Sequence, residues 1–246
     1  MPPAAGLYRI GTSGWAYPEW RRLGWYPPRL PPRQWLSFYA QRFPTVEVNS
    51  TFYRLHPPER FQQWAQSVPD TFCFAIKAPR ALTHQKGRDP TQVLHAFLSS
   101  ISALGQRLGP LLWQFPPRFS CDLAYLEAFL RTLPPAVEHA VEFRHPSWEN
   151  PAVEDLLRAA AVALVWSSSL RYPRFRVRTA PFLYLRFHGL EGGYAHRYTD
   201  AELQPWAELV AESLRSGYRV YAYFNNTAGT APYDAQRFQE LVEKLL

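Results

Sequence analysis

The sequence predicts an α/β protein, a (β/α)8 barrel of the TIM type, with an irregular link in place of the helix between the sixth and seventh strands. Three observations predict it. Eight short runs rich in β-branched and aromatic residues are spread along the chain. Longer segments with apolar residues at helical spacing separate most of them. The length of 246 residues suits one such barrel, so 1–246 is read as a single domain. A doubly wound open sheet shows the same alternation, but a count of eight strands favours closure.

The strand runs are LYRIG (7–11), TVEVN (45–49), CFAIKA (73–78), GPLLWQF (109–115), HAVEFR (139–144), VALVWSS (162–168), FLYLRFHG (182–189) and RVYAYFNN (219–226). PRQWLSFYAQRF follows the first as a helix, and PERFQQWAQSV follows the second. PTQVLHAFLSSISALG, DLAYLEAFLRTL and NPAVEDLLRAAA follow the next three. DAELQPWAELVAESLRSG and DAQRFQELVEKLL follow the last two. Several begin with Pro or Asp and close on Gly, as helix ends require. Only the link SLRYPRFRVRTAP (169–181) lacks a helical period.

Composition narrows the function classes. No apolar run approaches a membrane span, so no membrane partner is expected. MPPAAGLYRIG has neither a charged n-region nor an apolar h-region, and Cys73 and Cys121 form no disulfide framework. The expected setting is the cytoplasm. The net charge of +7 favours anionic partners weakly. Only Lys77, Lys86 and Lys244 are lysines, and Lys77 lies inside a strand run. Oligomeric state is not legible.

In a closed barrel alternate residues of each strand point inward, and the C-terminal strand ends form the active-site mouth. Val46 and Val48 face out, leaving Glu47 and Asn49 inside. By the same alternation Lys77, Gln114, Glu142 and Arg144 turn inward, as do Tyr184, Arg186, His188, Tyr221, Tyr223 and Asn225. So many polar groups in one mouth imply mutual pairing, water or a ligand, because a buried unpaired charge is costly. Pairs such as Glu47–Lys77 and Glu142–Arg144 are the arrangement that would satisfy the groups without a ligand.

Seven ordered segments also carry a family resemblance: GTSGWAYPEW, TVEVNSTFYRL, FAIKAPRALTH, GPLLWQFPP, AVEFRHPSW, YLRFHG with its following Tyr and YTDAEL, and YAYFNNTAG. Together they resemble the YecE-like family, a domain of unknown function, from about residue 8 to 240. The resemblance implies a TIM-type barrel in a soluble bacterial or archaeal protein, and no established reaction. Two positions depart from the family pattern. WSSS (Ser167 to Ser169) replaces an expected Asp near the end of strand six, and Thr227 replaces one after the Asn pair of strand eight. Both departures remove carboxylates from the mouth.

Several chemistries are tested by residue type. GTSGW is not the G-x-S-x-G nucleophile elbow, since Gly14 follows Ser13 directly. It reads as a Gly-rich turn, either an anion nest or a plain turn packed by Trp15. No cofactor is expected. His84, His145, His188, Glu47 and Glu142 are metal-ligand types, so a divalent metal stays open, but no HExxH or Cys/His spacing supports one. His145, before a proline, reads as a loop hydrogen-bonder.

Acid–base chemistry fits better. Glu142 is the candidate general base and His188 the acid or electrophile. Lys77 is a stabiliser of negative charge, or a Schiff-base nucleophile if its pKa is depressed, and Glu47 completes the catalytic set. Substrate contacts are assigned to Ser13, Trp15, Asn49, Tyr53, Gln114, Arg144, Arg186, Asn225 and Asn226. Loops HGLEGGYAHRY and NNTAGTAPY suit an anion, and Gly192–Gly193 would hinge a lid or simply lie on the surface.

The first reading is therefore an enzyme acting on a phosphorylated or otherwise anionic small molecule, with hydrolase, lyase and isomerase chemistry all open. The second is a barrel that binds or processes nucleic acid through Arg171, Arg174, Arg176 and Arg178, interleaved with Tyr172 and Phe175, and through Trp15, Trp20, Trp25 and Tyr53. The third is a binding protein with an enzyme-like pocket and no turnover. On the first reading Glu142→Gln is expected to remove turnover and spare the fold.

Overall fold

The computed structural model describes residues 7–84, 90–191, 196–225 and 229–246. Nine parallel strands form one sheet. They are β1 (Tyr8–Ser13), β2 (Thr45–Val48), β3 (Cys73–Lys77), β4 (Leu108–Gln114), β5 (His139–Glu142), β6 (Ala163–Leu164), β7 (Trp166–Ser168), β8 (Phe182–Phe187) and β9 (Arg219–Phe224). Their order is β6-β5-β4-β3-β2-β1-β9-β8-β7. The end strands are two halves of the sixth predicted run. β6 pairs with β5 and β7 with β8, and Val165 joins them while donating its N–H to the Val141 carbonyl at 2.9 Å. The sheet therefore comes round on itself as eight staves, the barrel the sequence predicts.

The helices are α1 (Pro18–Arg22), α2 (Trp35–Ala40), α3 (Pro58–Gln66), α4 (Arg80–Thr83), α5 (Thr91–Ile101), α6 (Leu123–Arg131), α7 (Pro151–Ala159), α8 (Asp200–Arg215) and α9 (Ala231–Leu245). All seven predicted helical segments are helical; α1 and α4 are short turns within loops. Local chemistry sets the ends. Asp122 and Asn150 cap α6 and α7, and Thr199 with Glu202 forms a capping box on α8. Gly217, at φ +83°, takes the left-handed conformation just past α8.

The link 169–181 is irregular, as expected, and two of its four arginines, Arg176 and Arg178, are engaged by the fold. The Arg176 guanidinium lies 4.2 Å from the Trp206 ring centroid. Arg178 lies 5.0 Å from that of Tyr218 and donates to Ser213 Oγ at 3.0 Å. These contacts pin the link to α8 and the turn after it. Thr179 Oγ donates to the Val162 carbonyl at 2.6 Å and accepts the Leu164 N–H at 2.8 Å, lacing the link along β6. Phe175 is buried.

Two apolar layers follow from the strand alternation. Val46, Ile76, Trp113, Phe143, Leu185 and Phe224 pack between sheet and helices. Cys73, Ala75, Leu112, Ala140, Tyr184 and Tyr223 fill the barrel. Gly11 permits close approach of two staves: a Cβ there would fall 2.2 Å from the Thr45 carbonyl oxygen. Trp20 and Trp25 are buried in an aromatic cluster with Tyr26, Tyr39 and Phe43, so they are core residues rather than base-stacking ones. Among the described residues no helix is long and apolar enough to cross a membrane.

Candidate functional site

VEFRHPSW (141–148) shows how one stretch divides its labour. Phe143 and Trp148 stack outside the barrel, with ring centroids 4.0 Å apart and planes at 7°. His145 Nδ1 accepts the Ser147 N–H at 3.2 Å, capping the turn at Pro146–Trp148 as a loop hydrogen-bonder. That packing leaves Glu142 and Arg144 on the inner side.

The centre of the mouth is Arg186. Its Nε donates to Glu47 Oε2 at 2.9 Å and its Nη2 to Glu47 Oε1 at 2.7 Å. Its Nη1 donates to Glu142 Oε2. Glu47 also accepts Ser13 Oγ and Tyr184 OH, each at 2.8 Å. Glu142 Oε1 accepts Arg144 Nε and His188 Nε2, each at 3.0 Å. Asn225 Nδ2 donates to His188 Nδ1, which fixes the ring with its proton on Nε2. The pairing Glu47–Lys77 does not form, because Arg186 reaches both carboxylates from the opposite stave; Glu142–Arg144 does form.

Electrostatics follows this geometry. Burial alone would raise the Glu47 carboxyl, but Arg186, Ser13 and Tyr184 outweigh it and hold Glu47 below its ordinary range. Burial would likewise raise Glu142, yet Arg144, Arg186 and His188 take it well below. Burial lowers His188 to about 4 although Glu142 pulls the other way, so the imidazole is neutral at pH 7. Both His188 nitrogens and both Glu142 oxygens are already bonded, and neither residue lines the cavity above. The base and acid assigned from sequence thus sit in the wall beneath the cavity and not among its lining residues.

The cavity at the C-terminal strand ends has a volume of about 440 Å3. Lys77, Gln114, Arg144, Arg186, Asn49, Ser13, Tyr53 and Asn225 line it, all assigned from sequence. Phe52 and His84 join them, the first not foreseen and the second considered only as a ligand type. Lys77 Nζ donates to Gln114 Oε1 at 2.7 Å and lies 4.0 Å from the Phe52 centroid. Thr51 Oγ sets Phe52 there by donating to the Lys77 carbonyl at 2.7 Å. Burial first, then Arg186, lowers the Lys77 amine to about 7. Arg144 stacks on Tyr172, 4.2 Å from its centroid. Burial, Lys77, Arg80, Arg144 and Arg118 lower His84 to about 4, which marks the rim as electropositive. Tyr53, at 76% exposure, stands at the edge with its ring edge-on to Phe52, centroids 5.1 Å apart.

Some expectations move. Trp15 lies outside this cavity, in a neighbouring one of about 600 Å3 that shares Tyr17 and Asn49 with the mouth. That space is larger but contains no part of the Arg186 network. Gly14 forms no anion nest with its N–H, which donates to the Glu47 carbonyl at 2.8 Å, and Trp15 packs edge-on against Trp64. Asn226, Thr227, Lys86 and the Gly192–Gly193 pair lie outside the described residues. Among the described residues no group of three or more His, Cys, Asp or Glu is placed to hold a metal ion. Tyr184 and Tyr172, which hold Glu47 and Arg144, were not singled out as site residues. Their signals were inward alternation and a basic–aromatic link, and both patterns fit core and surface equally well.

A family model described as "Protein of unknown function DUF72" matches residues 9–245. This chain belongs to the DUF72 family. It is 28% identical to UPF0759 protein YunF of Bacillus subtilis, over 89% of each chain. It is 35% identical to UPF0759 protein YecE of Escherichia coli over 56% of this chain and 49% of that one. A crystal structure of a DUF72 family protein from Thermotoga maritima superposes with a TM-score of 0.87 at 31% identity, covering 96% of this chain and 99% of that one. One from Enterococcus faecalis gives 0.80 at 24%, covering 96% and 95%, a likeness of fold. These names state a family and no reaction. Ser168 Oγ accepts Tyr198 OH at 3.0 Å and Ser169 Oγ accepts the Arg171 N–H at 3.0 Å, so hydroxyls satisfy the end of β7.

Proposed function

We propose that the barrel mouth binds an anionic small molecule and acts on it by acid–base chemistry. One observation carries this reading: Arg144, Lys77 and Arg186 line a single cavity while Glu47 and Glu142 are both engaged beneath it by Arg186. The two carboxylates face Arg186 and Arg144, and Arg144, Arg186 and Lys77 rather than the carboxylates line the cavity, so its accessible side is cationic. Of the Arg144 N–H groups only Nε has a hydrogen-bond partner among the described residues, which leaves the rest of the fork for a carboxylate or phosphate. Lys77, near neutrality, is the group suited to move a proton; Glu142, Glu47 and His188 act as positioning residues for Arg144 and Arg186.

Calorimetry with inorganic phosphate tests the reading. Arg144→Gln should weaken binding by about 1.5–3 kcal/mol, the usual worth of a hydrogen bond to a charged group, or roughly 10- to 150-fold. Absence of phosphate binding, or equal affinity in the variant, removes the proposal.

A second reading, an extended nucleic-acid ligand, draws on the neighbouring cavity. Arg33, Arg54 and Arg60 line it without a carboxylate partner among the described residues, and buried Asn49 Oδ1 lacks a donor. Anisotropy of a labelled single-stranded oligonucleotide across a salt series separates the two: a steep log–log slope counts phosphate contacts, and no binding at low salt excludes this ligand.

A further inference from the structure

Lys77 combines three features that simple anion binding does not require. It is buried within the barrel, whereas Lys244 is exposed on α9. Its amine is held by a neutral partner, Gln114 Oε1 at 2.7 Å, and by the Phe52 ring at 4.0 Å. No carboxylate lies within ion-pair distance of it among the described residues, since Glu47 and Glu142 are both committed to Arg186. Buried lysines are otherwise almost always ion-paired. The Phe52 face favours the ammonium, but burial and Arg186 act against a further cation and bring the amine to about 7. Burial therefore favours the neutral amine, the form whose lone pair can attack a carbonyl. With one N–H on Gln114, Lys77 lines the same cavity as Arg144 and Asn225.

We propose that Lys77 forms a Schiff base with the carbonyl carbon of an anionic aldehyde or ketone whose charged group is held by Arg144. This rests on the reading of the mouth as an anion site. The Nζ lone pair adds to the carbonyl carbon, and the C=O electron pair moves onto oxygen. A proton passes from nitrogen to that oxygen to give a carbinolamine. The nitrogen lone pair then forms C=N as the C–O bond breaks, and the remaining N–H proton passes to the departing oxygen, which leaves as water. The sum is amine plus carbonyl giving imine plus water, with no oxidant or reductant. A protonated imine withdraws electrons from the neighbouring carbon, so a C–H or C–C bond there becomes breakable. That narrows the reaction class to a lyase or isomerase acting beside a carbonyl.

The test uses the full chain with glycolaldehyde phosphate and sodium cyanoborohydride, which reduces the imine and traps it. Intact mass and peptide mapping locate the adduct. Lys77 should label at least about tenfold faster than Lys86 and Lys244 at pH 7, because an ordinary lysine with a pKa near 10.4 is almost wholly protonated there. Labelling of Lys77 should level off just above pH 7, while exposed Lys244 continues to gain above pH 9. Lys77→Arg should remove the fast adduct. Gln114→Glu keeps the lysine and gives it a carboxylate partner, so it should slow labelling at pH 7 and move the plateau upward, which covers the case in which Lys77→Arg does not fold. Even labelling of the three lysines, or a Lys77 rate that Gln114→Glu leaves unchanged, overturns the proposal. Equal labelling by unphosphorylated glycolaldehyde supports the Schiff base and removes the anion reading, so the two fail separately.

Discussion

Arg186 and Glu47, on staves separated by β1 and β9, meet across the barrel in a two-point clasp, Nε to Oε2 at 2.9 Å and Nη2 to Oε1 at 2.7 Å. Both side chains are almost completely buried, with exposures of 2% and 0%. The clasp accounts for part of the polar mouth: one guanidinium bridges two carboxylates, and Arg144 supplies the second positive charge on Glu142.

Removing Arg186 would leave Glu47 buried with no cation partner and Glu142 with Arg144 as its remaining guanidinium. Arg186→Met should destabilise the fold by about 3–5 kcal/mol, the usual cost of breaking a buried ion pair from one side. Urea unfolding checks this. A loss below 1 kcal/mol would mean that the network does not hold the barrel together.

Glu142→Gln is expected from sequence to spare the fold, and the structure revises that. Glu142 is 1% exposed and accepts Arg144 and His188 on one oxygen and Arg186 on the other. A glutamine offers one acceptor and turns its amide N–H groups toward donors. Each charge-assisted bond lost costs about 1.5–3 kcal/mol, so the melting temperature should fall by several degrees. Scanning calorimetry decides between the two expectations.

The pH dependence has a defined sign. His188 is lowered by burial to about 4 in the fold, against an ordinary 6.5 when unfolded. Between these values the unfolded chain binds the proton and the folded chain does not, so stability falls as pH drops from 6.5 toward 4. His84, also lowered to about 4, adds to the same slope. Thermal melts of His188→Gln should show a shallower slope than the parent over this window. An unchanged slope would place the titration elsewhere.

Gly11 makes a steric prediction. A methyl there would meet the Thr45 carbonyl oxygen at 2.2 Å and the Tyr39 hydroxyl at 2.9 Å. Both belong to well-packed surroundings, so Gly11→Ala should cost about 1–3 kcal/mol, the range for overpacking a core. Chemical denaturation with an unchanged m-value would identify the loss as native-state strain.

The site was legible in part. Strand alternation located Glu47, Lys77, Gln114, Glu142, Arg144, Arg186, His188 and Asn225 on the inner face, because a period of two fixes which face a residue takes. It gave no partners. Glu47 and Lys77 seemed a natural pair on neighbouring strands, yet the longer Arg186 side chain spans the barrel and takes both acids. Phe52, Tyr172 and Tyr184 were harder still. An aromatic residue in a loop or strand has the same sequence signature whether it packs, stacks on a cation or holds a carboxylate.

By itself the sequence determined the barrel, its eight staves and the inward identity of its polar residues. These depend on short-range periodicity and on the ends of elements, which neighbouring residues encode. Only the tertiary structure decided which charges neutralise one another, that Glu142 and His188 lie beneath the cavity, and that Lys77 is left with a neutral amide and an aromatic ring. Those outcomes depend on distances across a closed barrel between residues as far apart in sequence as Glu47 and Arg186, and on a low dielectric that makes each such pairing exclusive.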